Sequence, residues 1–186
     1  MSILNAIRQR RSHKHFTARP VFEDEIRTML EGAIAAPNHK LTQPWGFAVL
    51  GHRSRRKYAE IKAALKVKNE ANAEFALAKR EKLVAEIAAI PAVIVVTQKL
   101  DADPHRREED YAAVFMAIQN MLLLATSMGL GTKVQTGSVM DDSQMRELVG
   151  ATPEDRIVAI IHIGEPLEEL PPKARISAAD KTRWLP

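Results

Sequence analysis

The segment that most constrains the fold is residues 105–128. Its stretch AAVFMAIQNMLLLATSM is apolar on nearly every side of a helix, so that helix must be buried on nearly every side. A chain of 186 residues is one domain by length and has difficulty surrounding such a helix completely with its own residues. A two-helix interface between identical subunits would complete the burial. Around this helix the sequence predicts strands at 45–50 (WGFAVL), 91–98 (PAVIVVTQ), roughly 132–136, and 156–166 (RIVAIIHIGEP). The β-branched runs among these suit buried strands. Helices are predicted at 2–10, 22–35, 53–66, roughly 69–88 and 141–149. Ser2 and Asp141 or Asp142 start two of them, and Gly129 caps the end of the long helix. Pro37 ends the helix over 22–35. Strands separated by helices of unequal length, around one core helix, predict an α/β sandwich. Aromatic residues make up only 5% of the chain, so much of the core must be aliphatic.

Several functional classes fall away. The chain contains no cysteine, which removes disulfides, thiolate catalysis, iron–sulfur clusters and thiolate zinc sites. The histidines at 13, 15, 52 and 105 have no ligand spacing, and His162, inside an apolar strand, reads as a satisfied core histidine. No metal site is expected. A net charge of +4 is too small to imply nucleic acid. No run approaches the ~20 apolar residues of a membrane helix, and the first residues lack the order of a secretory signal. A cytoplasmic protein is the expectation.

Four segments can carry chemistry. Arg10, Arg11, Ser12 and Lys14 lie just past a short helix. Guanidiniums, a hydroxyl and an ammonium at that spacing can neutralise and orient a phosphate. They serve equally to complement a helix C-terminus in water, and on these residues alone that plainer role is favoured. The loop PNHKLTQP carries Pro37, Asn38 and His39. Its bracketing prolines make it rigid, fit either to hold a planar ligand edge or simply to connect helix and strand. In GLGTKVQTG (residues 129–137), Gly129, Gly131 and Gly137 permit close approach of backbone to a ligand, although a helix cap and a turn explain them almost as well. Finally, Lys173 and Arg175 alternate in the tail, so both would face one side of an extended chain.

Taken in order, these segments resemble the nitroreductase family across nearly the whole chain. RRSHKHF is similar to its N-terminal RRS-x-R/K-x-F signature. APNHKLTQPWGFAVL resembles the A-P-S-x-x-N-x-QPW-x-F approach to a strand. GLGTKVQTG and IVAIIHIGEP match the late Gly-Leu-Gly and the terminal I-x-x-G-x-P strand, and PPKAR resembles the P-K-x-R tail. Leu41 stands where the family usually has Asn, and PNHK replaces the commoner PSS. His39 in this form is similar to a smaller bacterial subfamily of NAD(P)H nitroreductases.

The resemblance implies an α+β fold: a mixed, mostly antiparallel central sheet flanked by helices, in one domain over residues 1–186. It implies a homodimer with FMN at the subunit interface, the tail 170–186 packing extended on the partner subunit. Arg10, Ser12, Lys173 and Arg175 would surround the ribityl phosphate. Arg11 and Lys14 would contact the flavin, Lys14 near the pyrimidine edge, where a cation stabilises the anionic reduced ring. Pro37, Asn38 and His39 would reach the flavin from a loop, in the partner subunit. Lys133, Val134, Gln135, Thr136 and Gly137 would present backbone to the ring's reactive edge. NADH or NADPH would reduce the flavin, which would pass electrons to nitroaromatics, quinones or similar electrophiles by ping-pong kinetics. Hydride chemistry then belongs to the cofactor, and no catalytic side chain is named. The same motifs also suit a same-fold dehalogenase or heterocycle oxidase, or a flavin-binding protein without activity.

Overall fold

A computed structural model describes residues 1–186. Strand β2 (Ala92–Lys99) divides it into layers. Its residues Ala92, Ile94 and Val96 join one apolar cluster, whereas Val93 and Val95 join another on the opposite face. Because both faces are covered, the run can be apolar at every position instead of alternating. Strand β4 (Asp155–Gly164) behaves the same way and lies antiparallel beside β2. Strands β1 (Trp45–Val49) and β3 (Gly131–Gln135) form the two edges, so the order is β1-β2-β4-β3. All three pairings are antiparallel. The parallel element of the expected mixed sheet is reduced to one bridge, between Ser12 and Thr132.

Helices α2 (Glu23–Ile34) and α5 (Pro104–Ser127) cover the first face. Pro104 stands in the first turn of α5 behind its N-cap Asp103, whose carboxylate accepts from the His105 N–H, as the preference of proline for a helix start requires. Helix α5 buries Ala113, Val114, Ala117, Ile118, Met121, Leu122 and Ala125. The expected burial on nearly every side is only partly met within the chain: Phe115, Leu123 and Leu124 are half-buried, and Ala112, Met116 and Gln119 form an exposed strip, Met116 at 42%. Helices α3 (His52–Val67), α4 (Ala73–Ala88) and α6 (Ser143–Leu148) cover the other face. Helix α4 begins later than the sequence suggests, because the Asn72 side chain caps it by accepting from the Phe75 N–H. Short helix α1 (Ile3–Gln9) is capped by Ser2 as expected. No helix is long and apolar enough to cross a membrane.

The segment after α1 completes the β3 edge. Besides the Ser12 bridge, the His13 N–H donates to the Thr132 carbonyl at 2.9 Å, and the Thr17 N–H to that of Glu165 at 2.9 Å. Phe16 bridges to Pro166. Two glycines make this close docking possible. A Cβ on Gly131 would lie 2.8 Å from the His13 ring, and one on Gly164 would lie 2.8 Å from Phe16. The Gly131 position is therefore reserved for the protein's own N-terminal segment. Gly129, at φ +79°, is the expected helix cap.

Candidate functional site

Two of the four chemical segments meet at the β3 edge, and a third, the tail, reaches the first of them. The N-terminal segment lies against the start of β3 through Ser12 and His13. The tail joins it: the Arg11 Nε donates to the Pro171 carbonyl at 3.2 Å, two residues before Lys173. Arg11 also donates to the carbonyls of Arg8 at 2.6 Å and Arg10 at 2.9 Å. Its guanidinium thus ties the tail to the end of α1, and much of its donor capacity is committed to backbone. Arg10, Lys14, Lys133 and Lys173, by contrast, take part in none of the ion pairs. Lys173 and Arg175 are exposed, and Arg175 makes only a local contact with the Ala174 carbonyl.

Along β3, pairing of Lys133 with His162 and of Gln135 with Ile160 turns both side chains toward α3. Val134 packs on the opposite cluster. Lys133 is held below the usual lysine range by partial burial first, then by the charges of Lys14 and Lys66. Thr136 and Gly137 follow the strand and are exposed. Gly137 has φ +115° and ψ −167°, with open space where a Cβ would stand. This backbone conformation is essentially restricted to glycine, so it is the conformation, not crowding, that requires glycine here.

Sequence reasoning missed the polar floor of this site. Tyr58, Lys62 and Lys66 recur every fourth residue on α3 and so share one helix face. The Lys62 Nζ donates to the Gln135 Oε1 at 2.6 Å and to the Tyr58 hydroxyl at 3.1 Å. The Tyr58 hydroxyl lies 2.8 Å from the His162 Nε2. Burial, with the charges of Lys62 and Lys133, pushes His162 down to about 3, so the imidazole is neutral. Because Lys62 already donates to the Tyr58 oxygen, the network directs the hydroxyl to donate to His162 Nε2. His162 is thus the satisfied core histidine the sequence predicts. Burial, then Lys133 and Lys66, bring Lys62 down to about 8. The Tyr58-x3-Lys62-x3-Lys66 spacing puts these side chains on one face, but in the sequence it reads like any solvated helix face.

The fourth segment lies elsewhere. Loop 37–43 leads into β1, at the opposite edge of the sheet from β3. Three strand spacings put roughly 14 Å between those edges. Within one chain, Pro37, Asn38 and His39 are therefore not brought to the other candidate residues. The Asn38 Oδ1 accepts from the Gln43 N–H at 2.9 Å, closing the loop on itself. His39 Nδ1 meets the Glu109 Oε2 at 2.8 Å, and the Thr42 hydroxyl donates to buried Asp110 at 2.6 Å. Lys40, Leu41 and Gln43 all have positive φ, at 53°, 54° and 45°. This loop is pinned to α5 in a conformation that L-residues rarely adopt.

Residues 7–165 match the model of the nitroreductase family. A Bacillus subtilis protein, YfhC, provisionally named an NAD(P)H nitroreductase, is 31% identical over 94% of this chain and 90% of its own length. The crystal structure of a nitroreductase-like family protein from Bacillus cereus superposes with a TM-score of 0.84. It is 33% identical, covering 100% of this chain and 96% of that one. A Desulfovibrio desulfuricans protein crystallised with FMN shares the fold, with a TM-score of 0.76 at 23% identity over 100% of this chain and 98% of that one.

Proposed function

Since the chain belongs to the nitroreductase family, we propose that it is an FMN-dependent oxidoreductase passing reducing equivalents from NADH or NADPH to small electrophilic acceptors such as nitroaromatics and quinones. The observation that carries this reading is the convergence at the β3 edge. Arg10, Ser12 and Lys14 belong to the segment that bridges to β3 through Ser12, Arg11 of that segment holds the tail at Pro171, two residues before Lys173, and β3 leads to an open glycine. The donor set fits the cofactor. The Lys14 charge helps lower Lys133, and neither lysine has a carboxylate partner, so a bound anion would relieve a repulsion that the folded chain otherwise retains.

Bound FMN would supply the hydride chemistry. The chain's residues bind and orient it. Arg10, Ser12, Lys173 and Arg175 would hold its phosphate, Lys14 and Arg11 its ring system, and the backbone of Lys133–Gly137 would bound the reactive edge. Nicotinamide and acceptor would occupy one face in turn, giving ping-pong kinetics. The functional unit is a homodimer in which residues 1–186 form one domain. A second copy would cover the open Ala112–Met116–Gln119 strip and receive the tail, whose Ile176 and Trp184 are 66% and 92% exposed. It would also bring Pro37, Asn38 and His39 to a site they cannot reach within their own chain. The protein would act in the cytoplasm.

The test begins with the purified protein loaded with FMN and followed anaerobically by absorbance. Flavin should be retained at the dimer's elution volume and bleach on addition of NADH or NADPH, then recover with a nitroaromatic or quinone. Parallel double-reciprocal plots would support ping-pong order. A protein that cannot be loaded with FMN refutes the proposal, and one that holds FMN but never bleaches reduces it to flavin binding.

A further inference from the structure

An exposed lysine on an amphipathic helix normally carries its ammonium out to water. Lys62 does the opposite. Its Nζ turns in beneath the end of β3, where it meets the Gln135 Oε1 and the Tyr58 hydroxyl and stands 5.5 Å from the Tyr58 ring centroid. No carboxylate pairs with it, and none pairs with Lys14, Lys66 or Lys133. The groups near it are themselves cations or neutral: Lys66 from α3, Lys133 from β3, and His162 from β4. Partial burial and like charge both disfavour an ammonium, yet the fold fixes it with specific partners. Tyr58 is fully buried and His162 is 4% exposed, so this arrangement is built from the core outward. A purely structural role would be met by an apolar side chain of similar length, without the desolvation.

We propose that Lys62 is a further cofactor-tuning residue, whose charge behind β3 adds to that of Lys14 and Lys133 and favours the reduced, anionic form of the bound cofactor. Tyr58, His162 and Gln135 are its positioning residues. Tyr58 accepts from the ammonium and donates its hydroxyl hydrogen bond to His162 Nε2, which fixes the hydroxyl, while Gln135 links the ammonium to the strand. The inference rests on the flavin reading above, and it adds a residue from a helix that none of the cofactor motifs includes.

The test compares FMN-loaded wild type, Lys62→Met, Lys62→Arg and Tyr58→Phe. Midpoint potentials are measured by equilibration against a reference dye, and FMN affinity by fluorescence quenching. Lys62→Met should weaken binding of reduced relative to oxidised cofactor about tenfold, which for a two-electron couple is a fall of about 30 mV. Lys62→Arg should restore most of it, and Tyr58→Phe, which keeps the charge but loosens it, should give a smaller fall. If Lys62→Met does not fold, the Arg and Phe variants carry the comparison: an Arg potential near wild type with a lowered Phe potential supports the proposal. Potentials that stay at the wild-type value in the Met and Phe proteins overturn it, as does an Arg protein that behaves like Met. Wild type that holds no FMN overturns the functional reading itself, a result distinct from either of these.

Discussion

Acid should unfold this protein partly through one residue, and His162 is that residue. Its ordinary value is 6.5, and burial, then Lys62 and Lys133, push it down to about 3 in the fold. The sign follows from proton counts. Above pH 6.5 the imidazole is neutral in both folded and unfolded chains, so it contributes no pH dependence. Between 6.5 and about 3 the unfolded chain binds a proton that the folded chain refuses, and stability falls as pH falls. The slope approaches about 1.4 kcal/mol per pH unit. Between pH 7.5 and 5.0 the loss is therefore about 2 kcal/mol, taking the 1.5 units below 6.5. For a chain of this size that is about 4–8 °C in Tm. Carboxylates such as Glu25 and Asp155, held below their ordinary values, also lose stability in acid, so the comparison must be differential. His162→Gln removes the titration and keeps a side chain able to accept from Tyr58. Thermal or urea unfolding of both proteins at pH 7.5 and 5.0, with near-ultraviolet dichroism confirming the folded state at 7.5, gives the contrast. Wild type should lose about 2 kcal/mol more than the variant. Equal losses would refute the buried, neutral imidazole and the direction of the Tyr58 hydrogen bond.

Gly131→Ala places a Cβ 2.8–2.9 Å from the His13 ring and Pro166. It should cost about 1–3 kcal/mol by overpacking, seen as a lowered melting temperature together with faster proteolysis near residue 13. Gly137→Ala meets no atom within 4 Å but must hold φ +115°; a loss of about 1–3 kcal/mol in urea unfolding is expected from conformation alone. Lys40→Gly should do the reverse. The left-handed conformation at Lys40, φ 53° and ψ 25°, costs an L-residue about 1–2 kcal/mol, of which the greater freedom of unfolded glycine offsets about 0.5–1. A net gain of up to about 1.5 kcal/mol should raise the Tm, and a lowered Tm would contradict this loop geometry.

Features set by local rules were legible in the sequence. Ser2 and Asp142 cap helices α1 and α6, Gly129 ends α5, and the apolar runs became the two central strands, because each depends on neighbours within a few residues. The nitroreductase resemblance likewise identified the family. What escaped was nonlocal. Nothing in the spacing of PNHKLTQP and GLGTKVQTG reveals that β1 and β3 occupy opposite edges, since strand order follows from how whole elements pack. Nor does the doublet Arg10-Arg11 reveal that one guanidinium binds the carbonyls of Arg8, Arg10 and Pro171 while its neighbour enters no ion pair. Lys62 was hidden because, among the many charged residues of α3, only the tertiary contact with β3 distinguishes it from a solvated helix face.

The location of the candidate site follows from how the core uses the sheet. Strands β2 and β4 have both faces committed to apolar clusters, so neither can carry a row of polar groups without opening the core. Edge strand β3 commits one face to the core through Thr132 and Val134 and on the other places Lys133 and Gln135 where α3 can answer them. His162 is the buried charge-capable side chain of β4, and it stands directly opposite Lys133, at the point where the apolar layer gives way to the Tyr58–Lys62–Gln135 network. The N-terminal segment then closes the edge with backbone bonds to Thr132 and Glu165, which brings Lys14 close enough to perturb Lys133. Lysines gathered without carboxylates oppose folding, and the same arrangement favours any anion that binds among them. Placing that cost at a sheet edge, away from the core beneath β2, confines it to the region where a ligand can remove it.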